Sequence, residues 1–277
     1  MVVASPLSVP ARISMRIVIV GPGRAGGAIG IASEAAGHEI AGVLTRHPDT
    51  TRWPILDWDA PLPEVDLALV AVRDDAIAEV VARIVRRVSD VGVVAHLSGF
   101  VPVMALRPIQ EQGTAVGGFH PLQSLPDAES GATALAGAFV GIDGDALAVD
   151  VLTYLGTSLQ MEPFRLDDTA RPAYHAAAAA ASNFVVTALA VSADLFRSAG
   201  IDPRVSRPLV ERALANVFDK GPAASLTGPI ARGDIDTVIG HLTAAHEVSE
   251  YVGRQFSLMA EATTIRAGRE EDLHRWK

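Results

Sequence analysis

The stretch Arg16-Ile17-Val18-Ile19-Val20-Gly21-Pro22-Gly23-Arg24-Ala25-Gly26 decides the fold. Four consecutive apolar residues of high β propensity run into Gly-x-Gly-x-x-Gly, and a helix-compatible segment follows over 27–36. Strand, glycine turn and helix in that order are the context a dinucleotide phosphate site requires. Gly21 lets the chain turn sharply. Gly23, lacking a Cβ, lets the backbone approach a pyrophosphate, and Gly26 lets the helix pack close to the strand. The helix N-terminus adds free N–H groups and the positive end of its dipole. The competing reading is a tight turn that holds nothing.

Working outward, strand and helix signals alternate. Strands are expected at 39–44, 65–72, 91–97, 114–119, 138–142 and 158–161. Helices are expected at 76–88, 103–112 and 146–155. This alternation predicts an α/β fold, a Rossmann doubly wound parallel sheet. The pattern changes near Pro163. Beyond it the spacing predicts helices only: one long helix over 169–199, then 204–219, 234–245 and 248–265, with glycine and proline at the breaks. The expected organisation is a flexible tail over 1–14, a nucleotide-binding domain over 15–163 and an all-α C-terminal domain over 164–277.

Composition narrows the function. The chain has 277 residues, 49% of them hydrophobic, enough for a sizeable core. No apolar run is read as reaching the roughly 18 residues of a membrane span. The longest, 176–191, is broken by Ser182, Asn183 and Thr187 and is expected to be a buried helix of a soluble protein. Cysteine is absent, which excludes disulfides and thiolate metal sites. A cytoplasmic location is the default expectation. The net charge of −9 comes without a basic run, so no nucleic-acid partner is expected. The only lysines are Lys220 and Lys277, which removes lysine as an obvious catalytic group.

A site that prefers NAD places a carboxylate at the end of the second strand, for the ribose 2′-OH. Here that strand exits at Thr45-Arg46-His47. Thr45 and Arg46 suit a 2′-phosphate through charge-assisted hydrogen bonds, so NADP(H) is expected over NAD(H). The cofactor-binding set is Gly21, Pro22, Gly23, Arg24, Ala25, Gly26, Thr45, Arg46, Val72 and Arg73. Asp75, beside that set, is read as the cap of the following helix.

Candidate chemistry sits in short constellations. His96-Leu97-Ser98-Gly99 ends the fourth strand, and Gly118-Phe119-His120-Pro121 ends the next, both at the ligand edge of the sheet. His175 and Asn183 share the long helix, about 12 Å apart along an ideal axis. Leu226-Thr227-Gly228-Pro229-Ile230-Ala231-Arg232-Gly233-Asp234 is a helix connection in which Arg232 could meet a substrate carboxylate and Asp234 caps the next helix.

Together these segments resemble the Rossmann-like proteins that carry a C-terminal domain of unknown function 2520. That family is similar in design to the β-hydroxyacid dehydrogenase group, which includes ketopantoate reductase and pyrroline-5-carboxylate reductase. The resemblance implies an NADP-dependent oxidoreductase whose helical domain is like that of 6-phosphogluconate dehydrogenase and dimerises. It also brings in a 2-keto acid such as ketopantoate as a substrate. Ketopantoate reductases place a Lys and an Asn four residues apart on the corresponding helix. This chain has no lysine there, so that site does not carry over.

The reading is therefore hydride transfer between NADP(H) and a small carbonyl or imine compound. His175 is the general acid, with His120 as the alternate, since an imidazole titrates near neutral pH. Asn183 orients the substrate, Arg232 binds its carboxylate, and Ser98 donates to its oxygen. The expected partners are a small-molecule substrate and a second copy through the helical domain, with no membrane. The rival reading is a non-catalytic NADP(H)-binding regulatory protein. A metal enzyme built on His96, His120 and His175 has no supporting ligand spacing, so no metal is expected.

Overall fold

Strand β1 (Arg16–Val20) turns at the glycine loop into helix α1 (Arg24–Ala35), and the chain returns as β2 (Glu39–Leu44). This is a computed structural model, and it describes residues 14–48 and 51–276. The tail expected over 1–14 lies outside these, except for Ser14.

After β2 the chain crosses to the other side of β1 and forms β3 (Val65–Val70). It continues through α2 (Ile77–Ile84), β4 (Val91–His96), α3 (Arg107–Gln110), β5 (Ala115–Leu122), α4 (Ala128–Ala134), β6 (Phe139–Gly144), α5 (Ala146–Ser158) and β7 (Glu162–Arg165). The seven strands order as β2-β1-β3-β4-β5-β6-β7. Neighbours β2 and β3 leave β1 in opposite directions, so the carboxyl ends of β1 and β3 bound a crevice where ligands of such sheets bind. Alternate residues bury opposite faces. Ile17, Ile19, Leu67 and Leu69 enter one core, and Val18, Val20, Ala68 and Val70 enter the other. Burial on both faces is why these strands read as unbroken apolar runs.

Two expectations for the sheet need correction. It is not parallel throughout: β6 runs antiparallel to β5. Strand β5 overruns β4, so its pairing with β4 ends at Gly118 and Phe119 to Leu122 pair with β6 alone. Helix α5 also runs on to Ser158, a turn takes up 159–160 where a strand was expected, and β7 begins only at Glu162. Pro163 is compatible with β7 because that strand is the last of the sheet and needs no ladder N–H on its outer side.

The chain divides into two compact units, through Ala179 and from Ala180. The division expected at 163/164 falls inside β7. A continuous helical run, Asp168–Ser198, spans the break as a first 3-10 turn, α6 (Arg171–Ala179), a π-helical turn at Ala180–Phe184, and α7 (Val185–Ser198). With a mean hydropathy of 1.6 in its most apolar window, this run is long and apolar enough to cross a membrane by length and composition. That corrects the reading in which the run over 176–191, broken by Ser182, Asn183 and Thr187, falls short of a span. The expectation of burial fails as well: Val191 is the buried residue of α7.

The second unit continues with α8 (Arg207–Lys220), the single turns α9 (Pro222–Ser225) and α10 (Pro229–Arg232), α11 (Ile235–Val248), α12 (Glu250–Arg266) and α13 (Leu273–Trp276). Val191, Ala245 and Val252 form its small core, supported by Leu195, Val248, Phe256 and Met259.

Candidate functional site

The first element of the site is a cleft of about 550 Å³ at the carboxyl ends of β1 and β3. It is lined by Gly21, Pro22 and Gly23 from the glycine loop, by Thr45, Arg46 and His47 from the exit of β2, and by Val72 and Arg73 after β3. Gly21 takes φ +91°, and a side chain there would strike Val72 and the Ala71 carbonyl. Gly26 lies buried against Ile19 and Ala71, where a Cβ would come within 2.8 Å of the Ala71 Cβ. Of the expected cofactor residues, Ala25 and Gly26 support the loop without lining the cleft. Arg24 stands exposed at the first turn of α1.

The charges in this cleft are unequal. The Nε–Nη2 edge of Arg73 is taken by Asp75 in a bidentate pair, at 3.1 and 2.8 Å. Asp75 therefore binds Arg73 rather than capping a helix: the following 3-10 turn (Asp74–Ala76) has no side-chain cap. Thr45 Oγ1 accepts from the His47 N–H, and the Thr45 carbonyl accepts from Trp58 Nε1. Arg83 stacks on the Trp58 ring 4.4 Å from its centroid. Arg46 and Arg83, the latter 3.9 Å from Asp59, thus bring positive charge to the end of β2, where the described residues Thr45, Arg46 and His47 supply no carboxylate. Trp58 and Arg83 escaped the sequence reading because they reach the cleft from a loop and from the far end of α2.

The second element lies at the ends of β4 and β5. Arg171, on α6, is completely buried. Its Nε donates to Asp168 Oδ1 at 2.6 Å and its Nη1 to the Ser98 carbonyl at 3.0 Å. Asp168 Oδ1 also accepts from the Val103 N–H. These bonds pin the start of α6 to the loop after β4 and set the next two side chains, Tyr174 and His175, beside His120. Tyr174 Oη lies 2.7 Å from His120 Nδ1. The His120 and His175 rings meet edge to face at 5.8 Å between centroids.

Burial dominates the electrostatics here. Desolvation, helped by the charge of Arg171, holds His96 down at about 4. Desolvation, then His175 and Arg171, holds His120 at about 4. Desolvation pushes the Tyr174 phenol up to about 12. All three groups are neutral at pH 7. His96 Nδ1 accepts from the Ser98 N–H.

Four of the expected catalytic and candidate residues, His96, Ser98, His120 and His175, thus belong to one cluster. Ser98 is corrected in role: its Oγ accepts from the N–H groups of Phe100 and Val101 and so holds its loop. Asn183 and Arg232 belong to the second unit. Asn183, on the helix expected to be buried, is exposed in the π turn, where Ser182 Oγ donates to its Oδ1. The α-helical spacing assumed between His175 and Asn183 does not hold across that turn. Arg232 spends its fork on Asp234, at 2.8 and 3.0 Å. Asp234 occupies the N-cap position of α11 without a side-chain cap. Arg171, Asp168 and Tyr174 were missed. Among the described residues no group of three His, Cys, Asp or Glu side chains is placed to hold a metal.

Comparison with known proteins agrees with this architecture. A Rossmann-like domain model matches residues 5–121, and the domain of unknown function DUF2520 matches residues 138–263. The chain is a Rossmann-like protein with a C-terminal DUF2520 domain. No curated protein matches it in sequence. Among solved structures, protein BF3122 of Bacteroides fragilis is similar at a TM-score of 0.77 and 20% identity, over 91% of this chain and 98% of that one. Protein TM1727 of Thermotoga maritima follows at 0.66 and 20%, over 92% and 99%. An imine reductase of Myxococcus stipitatus in complex with NADP+ is similar at 0.67 and 14%, over 92% and 96%. At these identities the likeness is one of fold.

Proposed function

We propose that this protein is an NADP(H)-dependent oxidoreductase that transfers hydride to or from a small carbonyl or imine compound, a 2-keto acid such as ketopantoate among them. The observation that carries the reading is the cleft joining the glycine loop to Thr45 and Arg46. A pyrophosphate fits the open side of Gly21 to Gly23 and the N-terminus of α1, and a 2′-phosphate fits the cationic exit of β2. Support also comes from the imine reductase, whose structure contains NADP+ in the same fold.

NADPH, when bound, would supply the hydride. The chain's residues do the rest. Arg46 and Thr45 hold the phosphorylated ribose. Arg171 and Asp168 fix α6. His175 presents an imidazole N–H for the proton that reduction demands, in a neighbourhood that keeps His120 and His96 uncharged. Asn183 and Arg232 are kept as substrate contacts, with Arg232 free for a carboxylate once it releases Asp234.

A second copy of this chain is the proposed macromolecular partner. Helix α8 has no buried residue, yet it carries Leu209, Leu214, Val217 and Phe218, the last 87% exposed. Phe184 and Val186 are equally bare at the start of α7. An apolar surface of this kind is an association surface.

The deciding experiment is calorimetric titration with NADPH and NADH. Anaerobic mixing with 2-keto acids and cyclic imines, followed at the nicotinamide absorbance, comes next. Tight NADPH binding with oxidation by one substrate class supports the reading. NADPH binding with no oxidation by any member of the panel favours the regulatory alternative, and no nucleotide binding removes both.

A further inference from the structure

Three side chains of the first unit converge on one proton path. Tyr174 Oη stands 2.7 Å from His120 Nδ1. On its far side, His120 Nε2 faces the gap over Gly99, and so does His175 Nδ1. A side chain at Gly99 would place its first carbon 2.7 Å from the former and 2.8 Å from the latter. The missing Cβ therefore keeps open the space between the two rings. His175 Nδ1 is buried and has no hydrogen-bond partner. Such an atom is costly unless it has a use.

Acid strength assigns the hydrogens. A phenol is the better donor and a neutral imidazole nitrogen the better acceptor, so Tyr174 donates to His120 Nδ1. The His120 hydrogen then sits on Nε2, aimed across Gly99 at His175 Nδ1. That atom accepts, which leaves the hydrogen of His175 on its own Nε2. The rings are 5.8 Å apart between centroids, a separation that one water or a small ring rotation bridges.

We propose that Tyr174, His120 and His175 form one proton relay that delivers to the substrate at His175 Nε2. The two histidines are consecutive members of this relay rather than alternative acids. The inference rests on the reductase reading above. The substrate heteroatom, left electron-rich by reduction, takes the proton of His175 Nε2. His175 Nδ1 takes the proton of His120 Nε2, and His120 Nδ1 takes that of Tyr174. After the product leaves, water returns a proton to His175 Nε2, and the hydrogens shift back along the chain, His175 Nδ1 to His120 Nε2 and His120 Nδ1 to the tyrosinate. Each imidazole exchanges one tautomer for the other, and no imidazolium forms. That suits the surroundings of His120, where desolvation, His175, Arg171 and His96 oppose a positive charge and only Asp74 favours it. Of these three residues, only His175 touches the substrate. His120 and Tyr174 act through it and position its proton.

The test uses the whole protein labelled with ¹⁵N-histidine, free of nucleotide, together with Tyr174→Phe and Gly99→Ala. Histidine nitrogen shifts should show His120 and His175 as Nε2–H tautomers at pH 7. Tyr174→Phe should remove the preference at His120. With NADPH and a reducible substrate, Tyr174→Phe should lower kcat by about 100-fold or more with KM nearly unchanged, within the range of general acid catalysis. Gly99→Ala, with folding checked by thermal melting, should lower kcat comparably while leaving the Tyr174–His120 bond intact. An Nδ1–H tautomer at His120, or a Tyr174→Phe kcat within about threefold of wild type, overturns the relay alone. Correct tautomers with no turnover of any substrate overturn the reductase reading and the relay with it.

Discussion

The guanidinium of Arg171 donates across 3.0 Å to the carbonyl of Ser98, seventy-three residues earlier in the chain. Asp168 balances its charge at 2.6 Å. This buried pair makes the loop after β4 and the start of α6 one piece, and thereby sets the Tyr174–His120 contact. Removing one partner of such a pair strands the other charge. Asp168→Ala should therefore cost about 3 kcal/mol or more in urea-derived stability. Arg171→Met should cost less, because Asp168, a third exposed, can turn to water. Equal costs, or a larger one for Arg171→Met, would place the weight of this contact elsewhere.

Acid should loosen the sheet unit before it affects its carboxylates. In the unfolded chain a histidine titrates near 6.5. His96 and His120 are held at about 4 when folded. Between these values the unfolded state binds protons that the native state does not, so stability is full above pH 6.5 and falls as the pH drops towards 4. The loss reaches on the order of 3 kcal/mol per histidine. Urea midpoints at pH 7, 5.5 and 4.5 should decline steeply, and His120→Gln should flatten the slope. A wild-type midpoint that stays constant over this window contradicts the assignment of both as buried neutral imidazoles.

The nucleotide cleft makes a discrimination that one substitution tests. Among the described residues Arg46 has no carboxylate partner, unlike Arg73, which Asp75 neutralises. A charge-assisted bond to phosphate is worth about 1.5–3 kcal/mol. Arg46→Ala should weaken NADPH by about 10- to 100-fold and leave NADH within about threefold. Trp58, anchored to the Thr45 carbonyl, lines the same cleft, so its fluorescence should change on binding. Equal losses for both nucleotides would show that Arg46 does not read the 2′-phosphate.

How far the sequence speaks depends on where each residue finds its partners. The glycine loop and strands β1 to β4 were legible because their signals are local: continuous apolar runs and turn glycines. The ends of β4 and β5 were legible as a ligand edge, so His96, Ser98 and His120 could be named. Arg171, Asp168 and Tyr174 were not, since an arginine at a helix start looks solvated until a carbonyl seventy-three residues away claims it. Strand β7 was misplaced because Leu159 and Met161, buried at the turn after α5, alternate with Ser158 and Gln160 as a strand would, and Pro163 is acceptable only at a sheet edge. The long helix was read as buried on its composition, but burial is decided by what packs against it, and in α7 only Val191 is buried.

That exposed helical surface gives the last prediction. Phe184, Val186, Leu209 and Phe218 are each at least two-thirds exposed. Isolated surface leucines need no explanation, but large apolar side chains recurring along α7 and α8 do. If a second copy covers them, light scattering should give a dimer for the wild-type protein at micromolar concentration. Leu209→Glu with Phe218→Glu should yield a monomer, because a carboxylate in an apolar interface must be desolvated without a partner. Neither position is buried within the chain, so the monomer should keep its helical circular dichroism and its NADPH affinity. A wild-type protein that is monomeric at all accessible concentrations would leave this apolar surface to a different partner.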